Sequence, residues 1–160
     1  MKPLSLIEKA FFLKKVKIFA DLEFDLLLAV AEKLHFDEYD QNERVFALNQ
    51  TANRMYFIVH GCIQILDERM RSICDLSNGD FFGDESLFNE LPRSYFAICK
   101  SDTHLLILSR SQLLSVISEC PSVAVALLQC YAQTLPCRLW DTSKLEIRDR
   151  SAESLGKEKS

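Results

Sequence analysis

The sequence carries no excess of positive charge. Lysine and arginine number 19 against 23 aspartate and glutamate, a net charge of −4, which argues against nucleic acid as the main partner. Its six cysteines, at 62, 74, 99, 120, 130 and 137, form no Cys-x-x-Cys, and His35, His60 and His104 make no pair at metal spacing. A metal site is therefore not expected, and the thiols read as reduced, small apolar groups in a cytoplasmic protein. No run approaches the ~18 apolar residues of a membrane span. Met1-Lys2-Pro3 opens onto an amphipathic stretch, unlike a secretory leader, so no membrane association is expected. No Ser/His/Asp pattern, metal triad or Walker loop appears, so catalytic residues are not expected and the chain does not read as an enzyme.

What is present is an ordinary core-forming composition. The 160 residues are 48% hydrophobic with 11 Phe, 4 Tyr and 1 Trp, enough for one domain. Apolar residues at helical spacing predict helices over 4–17 and 23–34, with Leu6, Ala10 and Leu13 along the first and Leu26, Val30 and Leu34 along the second. Lys9, Lys14, Lys15 and Lys17 read as a solvated helix face. From residue 35 the pattern shifts to short β-type runs at 44–46, 54–59, 62–66, 72–76, 95–100 and 104–109, part of about eight strands, with turn residues between them. Asn42, Asn49 and Asn78 sit in those turns and tolerate left-handed backbone. Helix resumes at 110–119 and again at 122–135, where Pro136 should end or kink it. The second of these is apolar almost all round, so it is buried or meets a partner. A short helix to about 147 and a polar, disordered tail over 148–160 complete the reading. The order of helices, short strands and helices indicates an α+β chain whose strands form a sandwich or jelly roll.

One stretch, 78–97, stands apart: N-G-D-F-F-G-D-E-S-L-F-N-E-L-P-R-S-Y-F-A. Gly79 and Gly83 allow backbone that a side chain forbids. Residues 84–88 read as one helical turn whose first N–H groups would face an anion. Pro92 fixes the chain just before Arg93 and Ser94, a guanidinium fork and a hydroxyl.

In this frame the chain resembles the cyclic-nucleotide-binding domains of the catabolite-activator and protein-kinase-A regulatory-subunit superfamily, as a stand-alone, bacterial-type member. Phe46, Asn49, Met55-Tyr56-Phe57-Ile58 and Gly61 are similar to the family's F-x-x-G…[LM]-Y-x-[IV]-x-x-G. Leu76-Ser77-Asn78-Gly79-Asp80-Phe81-Phe82-Gly83 is similar to its L-x-x-G-D-x-F-G. Pro92-Arg93-Ser94 is similar to its P-R-[ST], and residues 105–108 to its last strand. The similarity spans about residues 16–135.

The resemblance implies an eight-stranded jelly-roll β-barrel over 35–109, flanked by helices over 1–34 and 110–147. It implies a cyclic nucleotide ligand, cAMP ahead of cGMP, in the loop 83–94. Arg93 and Ser94 would hold its phosphate with help from Gly83 and Ser86, and a carboxylate, Asp84 or Glu85, would accept the ribose 2′-OH. The family has Glu where Asp84 stands, an apolar residue at 85, and a small residue at 95. Tyr95 would stack on a base or block the pocket, and Tyr131 is the other candidate base contact. Nucleotide would draw the loop inward and re-pack the C-terminal helices. The residues after Pro136 are too few for the DNA-binding domain of the transcription-factor branch, so no DNA partner is expected. Output would pass to an unidentified protein partner or a homodimer seam along 122–135. The alternative is a degenerate member that keeps the barrel as an interaction or dimerisation module and binds no nucleotide.

Overall fold

The computed structural model describes residues 2–139; the helix expected to reach 147 and the polar tail lie outside the described residues. The N-terminal unit is helical. α1 (Leu6–Lys15) starts at a capping box, in which Ser5 Oγ accepts from the Glu8 N–H and Glu8 Oε2 accepts from the Ser5 N–H. A 3₁₀ turn (Lys17–Phe19) leads to α2 (Phe24–Lys33). Ala10 and Leu13 of α1 and Leu27, Val30 and Ala31 of α2 are buried. The other α1 face points outward: Ile7 and Phe11 are exposed, and Phe11 rests on Phe24 with ring centroids 5.1 Å apart. Two of the lysines read as a solvated face are tied down. Lys9 Nζ donates to the Leu34 carbonyl at 2.7 Å and Lys14 Nζ to that of Leu22 at 3.0 Å, so they tie the carbonyls that flank α2 as well as facing water.

Eight strands follow: β1 (His35–Tyr39), β2 (Arg44–Phe46), β3 (Arg54–His60), β4 (Ile63–Leu66), β5 (Ser72–Leu76), β6 (Phe81–Phe82), β7 (Phe96–Cys99) and β8 (Thr103–Ser109). They make two four-stranded antiparallel sheets, ordered β1-β8-β3-β6 and β2-β7-β4-β5, the arrangement of a jelly roll. β1 and β6 fall outside the six apolar runs. β1 is an edge strand carrying Asp37 and Glu38, and β6 has only two residues. Asn42 and Asn49 do adopt left-handed backbone, with φ of 68° and 63°, while at 78–79 the glycine takes that role.

β3 and β8 are the shared wall of two cores. Pleating sends successive side chains to opposite faces. Met55, Phe57, Leu106 and Leu108 join the core under the helices, while Tyr56, Ile58, Leu105 and Ile107 enter the space between the sheets. Burial on both faces explains why these strands read as unbroken apolar runs. Each fully buried Leu, Ile or Phe contributes roughly 1.5–3 kcal/mol.

β8 runs directly into α4 (Arg110–Glu119), capped by Ser109 and Gln112 in a second capping box. α5 (Ser122–Leu139) then runs past Pro136, so the proline does not end it; the helix forgoes the one hydrogen bond proline cannot donate. Among the described residues no single helix is long and apolar enough to cross a membrane.

Candidate functional site

The segment between β6 and β7 turns sharply at Gly83, forms the short helix α3 (Ser86–Asn89), passes through Glu90 at a φ of 55° and returns by Pro92 to β7. Arg93 is drawn inward and is only 3% exposed. Its main chain is fixed by two bonds to the β2–β3 loop: Asn49 N–H to the Arg93 carbonyl at 2.7 Å and Arg93 N–H to the Gln50 carbonyl at 2.9 Å. Its guanidinium carbon lies 4.1 Å from the Phe46 ring centroid and 5.8 Å from that of Tyr56, a cation–π seat.

The guanidinium gathers the turn around itself. Nη1 donates to the Gly83 carbonyl at 3.0 Å and to Ser86 Oγ at 2.9 Å, and Nη2 donates to the Arg54 carbonyl. Ser86, 2% exposed, donates its own hydroxyl to the Gly83 carbonyl at 2.8 Å. A Cβ at residue 83 would sit 2.6 Å from Arg93 Nη1, so the close approach of guanidinium and main chain depends on glycine. Among the described residues, the buried cation has no carboxylate at hydrogen-bond distance. Glu85 Oε1 is 3.8 Å from Nη1. Among the described residues, both that oxygen and Arg93 Nε are buried without a hydrogen-bond partner. Burying a charge is costly unless it is closely paired and fully hydrogen-bonded; here the carboxylate stands off at 3.8 Å, and one donor and one acceptor are left without hydrogen bonds.

The two acidic residues of the turn differ in their surroundings. Asp84 is engaged from α5, its Oδ2 accepting from the Tyr131 hydroxyl at 2.7 Å. Tyr131 also meets Phe88 edge-on at 5.8 Å. α4 holds the other end of α3: Arg110 Nε donates to the Leu87 carbonyl at 3.0 Å, and its guanidinium pairs with Glu90. Ser94 is exposed. Tyr95 points into the barrel, where its hydroxyl accepts the Gly83 N–H at 2.9 Å and its ring packs 5.3 Å from Phe46. Burial, then the nearby Glu85 charge, raises its pKa well above the ordinary tyrosine range. Phe46, Tyr56 and Phe82 complete an aromatic cluster, with Tyr56 and Phe82 stacked at 5.1 Å. A cavity of about 310 Å³ adjoins Arg93, between Phe46 and Tyr56 on one side and Gln50, Thr51 and Asn53 on the other. It lies at the small end of ligand-pocket sizes, ~300–1,000 Å³.

A family model for the cyclic nucleotide-binding domain matches residues 36–120, more than half of the chain. The chain belongs to this family. Among relatives, a cAMP-dependent protein kinase regulatory subunit of Debaryomyces hansenii is 30% identical over 82 residues, 51% of this chain and 18% of its own length. A CRP-like cAMP-activated global transcriptional regulator of Mycobacterium tuberculosis is 26% identical over 127 residues, 77% of this chain and 57% of its own. The crystal structure of the Thermus thermophilus catabolite activator protein superposes with a TM-score of 0.68 at 26% identity, covering 84% of this chain and 63% of that one. The chain thus spans less than two thirds of each of these relatives.

In this cyclic nucleotide-binding domain, the fold brings Gly83, Ser86, Arg93 and Tyr95 together at one turn, with Asp84 and Tyr131 paired at its edge and Glu85 beside the guanidinium. Ser94, exposed in the bend before β7, makes no hydrogen bond to that cluster among the described residues. Sequence reasoning missed Arg110, the Arg54 carbonyl and the Phe46 seat. Arg110 had one visible signal: it follows Ser109, the helix cap, and so stands at a fixed junction between barrel and helix.

Proposed function

We propose that the chain is a cyclic-nucleotide-sensing module, with cAMP ahead of cGMP because the relatives carry cAMP in their names. The observation that carries this reading is Arg93: a buried guanidinium, without a carboxylate at hydrogen-bond distance and with its Nε free of protein partners among the described residues. A cyclic phosphate supplies the missing anion in a geometry that suits a planar fork. Gly83, Ser86 and Ser94 are the auxiliary phosphate groups of this reading. Asp84 or Glu85 takes the ribose hydroxyl, which a deoxyribonucleotide would lack.

Signal output runs through the C-terminal helices. The turn touches them at two points, Asp84 and Phe88 on Tyr131 and Leu87 and Glu90 on Arg110. Movement of the turn re-packs α5, which borders an apolar groove of about 300 Å³ with Phe88 of α3 and Ile117 of α4, lined on α5 by Ala124, Leu128 and Tyr131. That side of 122–135 meets a second copy or a partner protein. A cytoplasmic location fits the free thiols.

Calorimetric titration with cAMP and cGMP, beside Arg93→Ala and Arg93→Lys, tests the reading. Saturable binding is expected for the native chain, weakened at least tenfold by either substitution, with circular dichroism confirming that both fold. Absence of heat at near-millimolar nucleotide would sink it. A second reading, a barrel kept as an interaction module without nucleotide, is favoured by one observation: Tyr95 already holds the Gly83 N–H.

A further inference from the structure

The two tyrosines of the site make hydrogen bonds of opposite sense. Tyr95 accepts, taking the Gly83 N–H at 2.9 Å from inside the barrel. Tyr131 donates, giving its proton to Asp84 Oδ2 at 2.7 Å from α5. A nucleotide bound as proposed above would ask for the same two roles. An anionic oxygen accepts from main-chain N–H at the turn, and a sugar hydroxyl donates to the carboxylate. Each ring is also held in place, Tyr95 by Phe46 at 5.3 Å and Tyr131 by Phe88 at 5.8 Å, so both hydroxyls are pre-positioned.

We propose that Tyr95 and Tyr131 are an internal stand-in for the ligand, and that a nucleotide enters this cassette only by displacing their hydroxyls. The inference rests on the reading of the site given above. It identifies the two residues that set affinity, neither of which directs the phosphate. The stand-in is incomplete: among the described residues, Arg93 Nε and Glu85 Oε1 remain buried without hydrogen-bond partners. Those two atoms are what an entering nucleotide gains, while the two tyrosine bonds are what it must break. Displacing the Tyr131 hydroxyl also removes its hydrogen bond between the turn and α5, which couples entry to the output helix.

The test compares cAMP affinity by calorimetry for the native chain, Tyr95→Phe, Tyr131→Phe, the double variant and Tyr95→Ala, with the melting temperature of each ligand-free protein. Phenylalanine keeps the ring and removes only the competing hydroxyl. Each single Phe variant should tighten cAMP about threefold to tenfold and the double variant by about the product, since a net hydrogen bond is worth that ratio. All should melt lower when ligand-free. The opposite signs matter: tyrosines that merely hold the structure would lower the melting temperature and leave affinity unchanged or weaker. A native chain that binds cAMP with Phe variants no tighter overturns the stand-in and leaves the receptor reading intact. A silent native chain with a binding double variant supports the stand-in and overturns native sensing. Silence from every variant, including Tyr95→Ala, overturns both.

Discussion

Gly61 and Gly83 both hold left-handed backbone, at φ of 103° and 75°, but the neighbours a side chain would meet are different. A Cβ at 61 would lie 2.6 Å from the Asp102 carbonyl oxygen and 2.8 Å from the Thr103 Cα, so β3 could accept it only by parting from β8. A Cβ at 83 would meet chiefly the tip of the Arg93 side chain at 2.6 Å, which can swing away. Gly61→Ala should therefore cost about 3 kcal/mol or more, conformational strain plus main-chain overlap. Gly83→Ala should cost less, about 1–2 kcal/mol, yet should abolish nucleotide binding by displacing the guanidinium. Denaturant unfolding and calorimetry on the two variants separate these losses; equal stability losses would refute the distinction. At this scale the site was partly legible. The Pro-Arg-Ser triplet and the paired glycines mark where an anion-directed arginine should sit. The hydroxyl partners were not legible, because Tyr95 and Tyr131 meet their partners across 12 and 47 residues of sequence, a convergence that only the folded chain defines.

At the scale of elements, α3 is four residues long and cannot be stable alone. It is held by contacts at both ends, and the hold on its C-terminal side is Arg110 at the start of α4. Arg110→Ala should leave the barrel intact, because the Arg110–Glu90 pair is partly exposed, 37% and 64%, and such pairs are worth about 0–1 kcal/mol. It should instead loosen the turn. Amide exchange over 86–91 should quicken about tenfold while that of β3 and β8 is unchanged; unchanged exchange over 86–91 would show that the contacts at Ser86 and Tyr131 suffice to hold α3. Elements were legible in proportion to their burial. β3 and β8, buried on both faces, announce themselves as apolar runs. Among the described residues β1 pairs only with β8, and Asp37 and Glu38 interrupt its apolar residues, so it carries no such signal. β6 is two phenylalanines whose strand character comes entirely from pairing with Tyr56 and Phe57. Pro136 does not end α5, because the loss of a single hydrogen bond is not enough to stop an 18-residue helix.

For the whole molecule, the order of helices, strands and helices gave the class, but not which strands pair. His35 lies opposite Ile107 and Ile63 opposite Cys99; composition and spacing carry no such information, and only the ordered motifs suggested the barrel. One consequence of that barrel is a dependence of stability on alkali. Burial is the leading cause of raised pKa values at Tyr39, Tyr56 and Tyr95, each with an ordinary value of 10.0, and it lifts Cys99 from 9.0 to about 11. These groups keep their protons in the folded chain at pH values where the unfolded chain has lost them. Unfolding then releases protons, so stability falls as pH rises. Their contribution is fully present below about pH 9. It declines first as the pH passes from 9.0 to about 11 through the Cys99 range, and the tyrosines add to the loss above 10.0. Guanidinium unfolding at pH 8, 9, 10 and 11 should show a midpoint that is flat at first and then drops steeply. Tyrosinate absorbance, followed in parallel, should appear largely with unfolding. Substantial ionisation of tyrosine ahead of unfolding would show that the barrel interior admits water and that its aromatic cluster is not the closed core described.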